Sequence, residues 1–203
     1  MSDNKRTYVR TEKRKVETVE AVIKLCGIQN PSTLTTTDIA NGVNLSQGAL
    51  FKHFPNKGKL WEAVARWVAN QMMEKVFKAS EKYKSPMKGL EAMFLAHMQF
   101  VSDKPGVPKL MLGELQKPER TGARLIIEHV LDSYRTQVKK LLEEGIRKEE
   151  LRADLDIEAA ATLYLGSIQG LVIQSLLADN MSNTEEAAAR VYLIYKQGIQ
   201  GHA

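Results

Sequence analysis

Residues 35–57 read Thr-Thr-Thr-Asp-Ile-Ala-Asn-Gly-Val-Asn-Leu-Ser-Gln-Gly-Ala-Leu-Phe-Lys-His-Phe-Pro-Asn-Lys. Their punctuation leaves the chain few choices. Thr35 followed three residues on by Asp38 is the signature of a capped helix start. Asn44-Leu45 turns the chain, and Ser46 is the N-cap of a second short helix. Pro55-Asn56 ends it, because proline cannot continue a helix. Leu50 and Phe54, four residues apart, face inward and hold this helix on its neighbours, leaving the other side to solvent or a partner.

Elsewhere the pattern predicts helices and no convincing strand, about nine helices in all. The first runs from about Thr11 to Gln29, with Val19, Val22, Ile23 and Cys26 at helical spacing, and Asn30-Pro31-Ser32 stops it. Longer helices follow: about Lys57–Lys82, Pro86–Val101, Pro108–Gln116, Thr121–Lys148 (apolar face Ile126, Val130, Tyr134, Val138, Leu141), Asp156–Leu177 and Thr184–Gly201. No internal repeat or low-complexity block interrupts them. The boundary falls near Lys57–Leu60, where short basic helices give way to long amphipathic ones. This divides the chain into residues 1–60 and 61–203.

Charge follows the same division. Residues 1–60 hold ten Lys and Arg against five Asp and Glu, whereas residues 61–203 hold nineteen of each. The whole excess of the net +5 lies in the first third, as phosphate binding and electrostatic steering require. A solvated basic tail is the alternative. Composition, with 43% hydrophobic and 26% charged residues, is that of a globular chain. No apolar run is expected to reach the roughly 20 residues of a membrane helix, and the start lacks the apolar segment of a signal peptide. Cys26 is the lone cysteine, so no internal disulfide or cysteine metal cluster is available. These features point to the cytoplasm.

A basic segment carrying two short helices and a tight turn has the outline of a helix-turn-helix, whose second helix enters the DNA major groove. Ser46, Gln47, Gly48 and Ala49 form the first turn of that helix, where base edges are read. Gln47 offers a donor and an acceptor to the N6/N7 edge of adenine; the alternative is an ordinary exposed polar residue. Gly48 and Ala49 are small enough for close approach. Phe51, Lys52 and His53 are left to lie along the DNA backbone, Lys57 is a candidate phosphate clamp, and Thr36 and Thr37 carry hydroxyls for phosphate or base. Lys5, Arg6, Arg10, Lys13, Arg14 and Lys15 form either a minor-groove arm or a solvated tail.

Thr-Thr-x-Asp-Ile-Ala from Thr35, then Leu-Ser-Gln-Gly-Ala-Leu-Phe-Lys-His-Phe-Pro-Asn-Lys from Leu45, resembles the N-terminal signature of the tetracycline-repressor (TetR/AcrR) family of bacterial regulators. The likeness covers about residues 11–60; the rest agrees in helix number, length and order. The resemblance implies an all-α protein: an N-terminal three-helix helix-turn-helix DNA-binding domain, then a larger helical ligand-binding and dimerisation domain. It assigns phosphate and some base contacts to Thr35–Thr37, base reading to Ser46, Gln47, Gly48 and Ala49, backbone contacts to Phe51 and His53, and a phosphate to Lys57. Three positions depart from the family pattern. Asn44 and Asn30 stand where glycine is usual, and asparagine tolerates positive φ. Phe51 stands for a tyrosine and lacks its hydroxyl.

The larger half shows no catalytic constellation. His97, His129 and His202 are scattered, and no metalloprotease, phosphate-loop or nucleophile-elbow motif occurs. No enzyme, cofactor or metal is therefore expected. Gly166-x-x-x-Gly170 sits mid-helix and allows close helix approach. The resemblance implies that the last two helices pair with their copies, through Leu165, Ile168, Leu171, Val172 and Leu176 on one and Ala188, Val191, Tyr192 and Tyr195 on the other. The alternative is that these faces close the chain's own core. Phe94, His97, Met98, Val101, Met111, Leu115, Val130, Tyr134 and Gln169 are spaced to line a pocket for a small, largely apolar ligand, with His97 and Gln169 orienting it; they are otherwise plain core. The expected partners are a palindromic DNA operator, a small-molecule effector and a second copy of the chain. The function expected is a repressor that leaves its operator when the effector binds. A ligand-insensitive dimeric DNA-binding protein and a helical carrier are the alternatives.

Overall fold

The computed structural model describes residues 2–178 and 184–201, with side chains described from residue 12 onward. Among these it contains nine α-helices: α1 (Ser2–Ile28), α2 (Thr36–Gly42), α3 (Gln47–His53), α4 (Lys57–Glu81), α5 (Pro86–Asp103), α6 (Gly106–Leu115), α7 (Gly122–Arg147), α8 (Ile157–Leu177) and α9 (Thr184–Ile199). The sole β feature among them is an isolated antiparallel bridge between Leu151 and Gln200. Most boundaries fall within two or three residues of the sequence expectation. The exception is α1, which begins at Ser2 rather than near Thr11, so the segment expected as a basic arm is helical. The side chains of Lys5, Arg6 and Arg10 lie outside the described set, as does His202.

Contacts divide the chain into two compact units, one of residues 1–70 and 104–128, the other of 71–103 and 129–203. The division thus falls inside α4, between α5 and α6, and inside α7, rather than at residue 60. The first unit takes in α6 because α6 packs on α1 at glycines. A Cβ on Gly106 would lie 2.0 Å from the Ile23 carbonyl oxygen and 2.8 Å from the Gly27 nitrogen. Lys109 Nζ also donates to the Gly27 carbonyl at 2.8 Å. Val19, Val22, Ile23, Cys26, Leu34, Ile39, Leu50, Phe54 and Leu60 form this unit's buried core. Burial pushes the Cys26 thiol up to about 12, so it stays protonated and behaves as an apolar side chain.

In the second unit α5, α8 and α9 pack on one another. Its centre is aromatic. Phe94 meets Tyr164 edge-on at 5.3 Å between centroids, Tyr192 lies 5.4 Å from Phe94, and Tyr195 lies 5.5 Å from Tyr164. Leu165, Ile168, Leu171, Ala188, Tyr192 and Tyr195 are buried, and Val172, Leu176 and Val191 are half-buried. The faces assigned from sequence to a partner therefore largely close this unit's own core. The expectation of no long apolar run also needs correction: α8 is long and apolar enough to cross a membrane by length and composition. It is apolar on more than one side. Tyr164, Leu165, Ile168 and Leu171 face inward, while Leu163, Ile173 and Leu177 are exposed.

Candidate nucleic-acid interface and interior site

Two caps set the geometry of the reading head. At α2, Asp38 N donates to Thr35 Oγ1 at 3.1 Å, and Thr35 N returns a bond to Asp38 Oδ2 at 2.8 Å, a reciprocal capping box. Thr35 Oγ1 also donates to that carboxylate at 2.6 Å. The Thr35 hydroxyl hydrogen is thus spent on the cap rather than free to donate to a phosphate. Asp38 titrates below the usual carboxylate range, chiefly because the Thr35 hydroxyl and backbone N–H bond its charged form, with Lys57 nearby. At α3, Ser46 Oγ accepts from Ala49 N at 3.2 Å.

The turn between them works as expected at Asn44, which takes φ 52° in place of the usual glycine. Asn30 does not: it is absent from the positive-φ residues of the described chain. Its Oδ1 instead accepts from Ser32 N at 3.0 Å and Ser32 Oγ at 2.9 Å, an Asx turn that ends the chain's first helix without left-handed backbone.

The structure brings Gln47 of α3 together with Thr36 and Thr37 of α2. Gln47 Nε2 donates to Thr36 Oγ1 at 2.9 Å and to Thr37 Oγ1 at 3.0 Å. Gln47, Gly48 and Lys52 are exposed, Phe51 is 40% exposed, and Ala49, His53 and Lys57 are half-buried. Leu50 and Phe54 are buried beneath. A Cβ added to Gly48 would meet nothing within 4 Å, so the protein itself has no steric need for glycine there.

The interior residues fare unevenly. Phe94, Met98, Val101 and Tyr134 are buried in the second unit. The His97 ring stands edge-on to Tyr134, 5.5 Å between centroids. Gln169, by contrast, is exposed on α8, and its amide does not orient anything in the interior. Met111 is half-buried and Leu115 is exposed, both in the first unit. Two polar atoms stand out: His97 Nδ1 and the Tyr134 hydroxyl are buried without a hydrogen bond of good geometry, the Tyr134 hydroxyl having only the hydroxyl of Tyr164 within its influence. The other buried tyrosines are satisfied. Tyr164 donates to the Leu90 carbonyl at 2.8 Å, Tyr192 to Met87 at 2.9 Å and Tyr195 to Ala160 at 3.1 Å. Burial pulls the His97 imidazole down to about 4, so it is neutral at pH 7, and raises the Tyr134 phenol. Sequence spacing did not separate Tyr134 from its neighbours, because only its missing partner distinguishes it.

A groove of about 430 Å³ lies elsewhere in the second unit, along α8 and α9, lined by Leu155, Ala159, Leu163, Ser167, Ile194 and Gly198 among others. No group of three or more His, Cys, Asp or Glu suited to hold a metal occurs among the described residues.

A capped, basic helix-turn-helix on an all-helical body defines a DNA-binding regulator. Residues 18–64 match the family of bacterial regulatory proteins described as tetR family, and residues 119–191 match the tetracyclin repressor-like C-terminal domain. The chain belongs to the TetR family of transcriptional regulators. Nucleoid occlusion factor SlmA of a Marinomonas species is 22% identical over 159 residues, 78% of this chain and 81% of that one. The regulator FadR of Bacillus subtilis in complex with stearoyl-CoA superposes with a TM-score of 0.79 at 17% identity, covering 91% of this chain and 99% of that one. The fatty acid degradation regulator FadR of Bacillus halodurans gives 0.81 at 16%, covering 93% and 97%.

Proposed function

We propose that this regulator is a dimeric repressor that reads a two-fold operator with α3 and releases it when a small, largely apolar molecule enters the second unit beside His97 and Tyr134. The reading head is residues 1–60: Ser46, Gln47, Gly48 and Ala49 face base edges, while Thr36, Thr37, Phe51, Lys52, His53 and Lys57 meet the sugar-phosphate backbone. A second copy brings a second head, and the half-sites lie about 34–36 Å apart, or a multiple of that.

The observation that carries the effector half is the pair of unpartnered buried polar atoms among aromatic and methionine side chains. Leaving a buried hydroxyl or imidazole nitrogen unsatisfied costs roughly 1–3 kcal/mol each. A ligand that supplies one hydrogen-bonding group to them, and apolar surface to Phe94 and Met98, recovers that cost. Release follows if the ligand favours a state in which the heads no longer match the operator; the loss of DNA affinity equals its differential affinity for the two states.

Partner pairing is supported by what α8 and α9 leave uncovered. Leu163, Ile173 and Leu177 on α8 and Leu193 and Ile194 on α9 are all exposed. A second reading also has an observation behind it: one relative is a nucleoid occlusion factor, a name that refers to a role at the nucleoid and mentions no small effector, in keeping with a ligand-insensitive DNA-binding protein.

The deciding experiment takes an operator selected from a random duplex pool and follows its release by fluorescence anisotropy against a panel of apolar ligands that includes stearoyl-CoA, with thermal shift in parallel. Release and a raised midpoint, both lost in Tyr134→Phe although that variant folds more stably than the parent once the unsatisfied hydroxyl is gone, support the proposal. An operator bound with high affinity that no ligand releases or stabilises favours the ligand-insensitive reading.

A further inference from the structure

Thr36 and Thr37 restrict what Gln47 can read. An amide nitrogen has two N–H donors, and in Gln47 both are taken, one by each threonine oxygen. Among the described residues nothing donates to Gln47 Oε1, and the side chain is exposed. Both sides of this clasp are pinned: the threonines follow the Thr35–Asp38 capping box, and Gln47 follows the Ser46 cap. We infer that Thr36 and Thr37 are specificity-determining positioning residues: they hold the Gln47 amide so that it meets DNA as an acceptor only. This rests on α3 being the reading helix.

The consequence is a different code from that of an unrestrained glutamine. A free amide pairs bidentately with adenine, donating to N7 and accepting from N6. A carbonyl oxygen alone accepts from any exocyclic amino group in the major groove. Adenine N6 and cytosine N4 offer one; guanine O6 and thymine O4 present another acceptor and are rejected. The contacted strand should therefore carry adenine or cytosine at this position, with little choice between them. The clasp also orients the threonines. Each oxygen accepts from the amide, so each hydroxyl hydrogen is free to donate outward to phosphate. Base reading and backbone contact become one connected chain of hydrogen bonds, each polarising the next.

The test is selection from a random duplex pool with the full-length protein and with Gln47→Ala, the double variant Thr36→Val with Thr37→Val, and the double variant Thr36→Ser with Thr37→Ser. The position whose preference flattens in Gln47→Ala is the one Gln47 reads. There the parent and the serine variant should accept adenine and cytosine within about threefold of each other while excluding guanine and thymine. The valine variant frees the amide, and its preference for adenine over cytosine should rise roughly fivefold or more, the lower end of what a bidentate pair supplies. Its affinity for all sites should fall together with an unchanged salt slope, since no charge is lost. Guanine or thymine at the Gln47 position, a strict adenine already in the parent, or an identical logo in the valine variant would overturn the inference while leaving α3 as the reader. Failure of the parent to enrich any palindrome would overturn the proposed function as well.

Discussion

Replacing Gly48 by alanine separates the needs of the fold from those of DNA. Gly48 is exposed in the first turn of α3, no described glycine has a positive φ, and an added Cβ meets nothing within 4 Å. The protein alone should gain from the change, because glycine in a helix costs about 0.5–1 kcal/mol relative to alanine. On the proposed docking, the new methyl projects into the surface pressed against base edges. Forcing a methyl into a close-packed contact costs about 1–3 kcal/mol. Two heads grip one operator, so the penalty counts twice, and affinity should fall by about thirtyfold or more. Urea unfolding at fixed protein concentration reads the first effect, and anisotropy on the selected operator reads the second. The two must move in opposite directions. A variant that is more stable and binds the operator as tightly as the parent would show that this turn does not approach DNA and would refute the assignment of Gly48 and its neighbours. A less stable variant would refute the steric account of α3 itself.

Three further outcomes follow from named contacts. Lys57→Ala should weaken binding to every sequence alike and lower the salt slope by about one unit per head, since one phosphate contact is lost in each; a change confined to one base position would contradict its role as a clamp. His97 is pulled from 6.5 to about 4 by burial, so the unfolded chain binds a proton that the folded chain refuses. Stability should be flat above pH 6.5 and fall by about 3 kcal/mol as pH drops to 4; in His97→Leu the part of that slope above pH 5 should disappear from denaturant midpoints. Gly106→Ala places a methyl 2.0 Å from a backbone oxygen of α1, an atom that cannot rotate away. Circular dichroism melts should show loss of several kcal/mol of stability or failure to fold, and a wild-type melt would mean that α1 and α6 do not cross there.

How much of this was legible in the sequence depends on whether the signal was local. Caps are local: Thr35, Asp38 and Ser46 cap as read, and Asp156, at the expected start of α8, caps it with Oδ1 accepting from Ala159 N at 3.0 Å. Asn44 at positive φ follows from the side chain's tolerance of that region. Asn30 shows the limit, because the same residue has another local solution, the Asx turn, and sequence does not say which one wins. Glu149 takes φ 58° just beyond α7, and no residue-type signal marks a glutamate for that. Burial direction is least local. Gln169 and Tyr134 both fit a pocket by spacing, yet one is exposed and the other buried without a partner. The grouping of α6 with the N-terminal helices likewise rests on two glycines, Gly27 and Gly106, 79 positions apart in the chain, each unremarkable alone.

α8 shows why the last two helices were hard to orient. A helix lying on one core has a single apolar stripe and a polar back, and periodicity then names the buried face. α8 carries Tyr164, Leu165, Ile168 and Leu171 inward and still places Leu163, Ile173 and Leu177 outward. With two apolar faces, periodicity cannot say which belongs to the chain and which to a partner, so most of the residues expected at the partner are core, while Val172, Leu176 and Val191 are half-buried. The outward set is joined by Leu193 and Ile194 of α9. Covering an exposed aliphatic side chain completely contributes about 1.5–3 kcal/mol. At the 39–83% exposure these side chains have, covering five on each of two chains contributes roughly 9–18 kcal/mol, enough to offset an association cost of roughly 4–15 kcal/mol, and the same patch on both copies is what a two-fold pairing uses. The argument for a dimer therefore rests on the face opposite the one the sequence suggested. Leu163→Asp with Ile194→Asp should yield folded monomers in sedimentation, whereas changes at Leu165 or Ile168 should unfold the chain before they separate it.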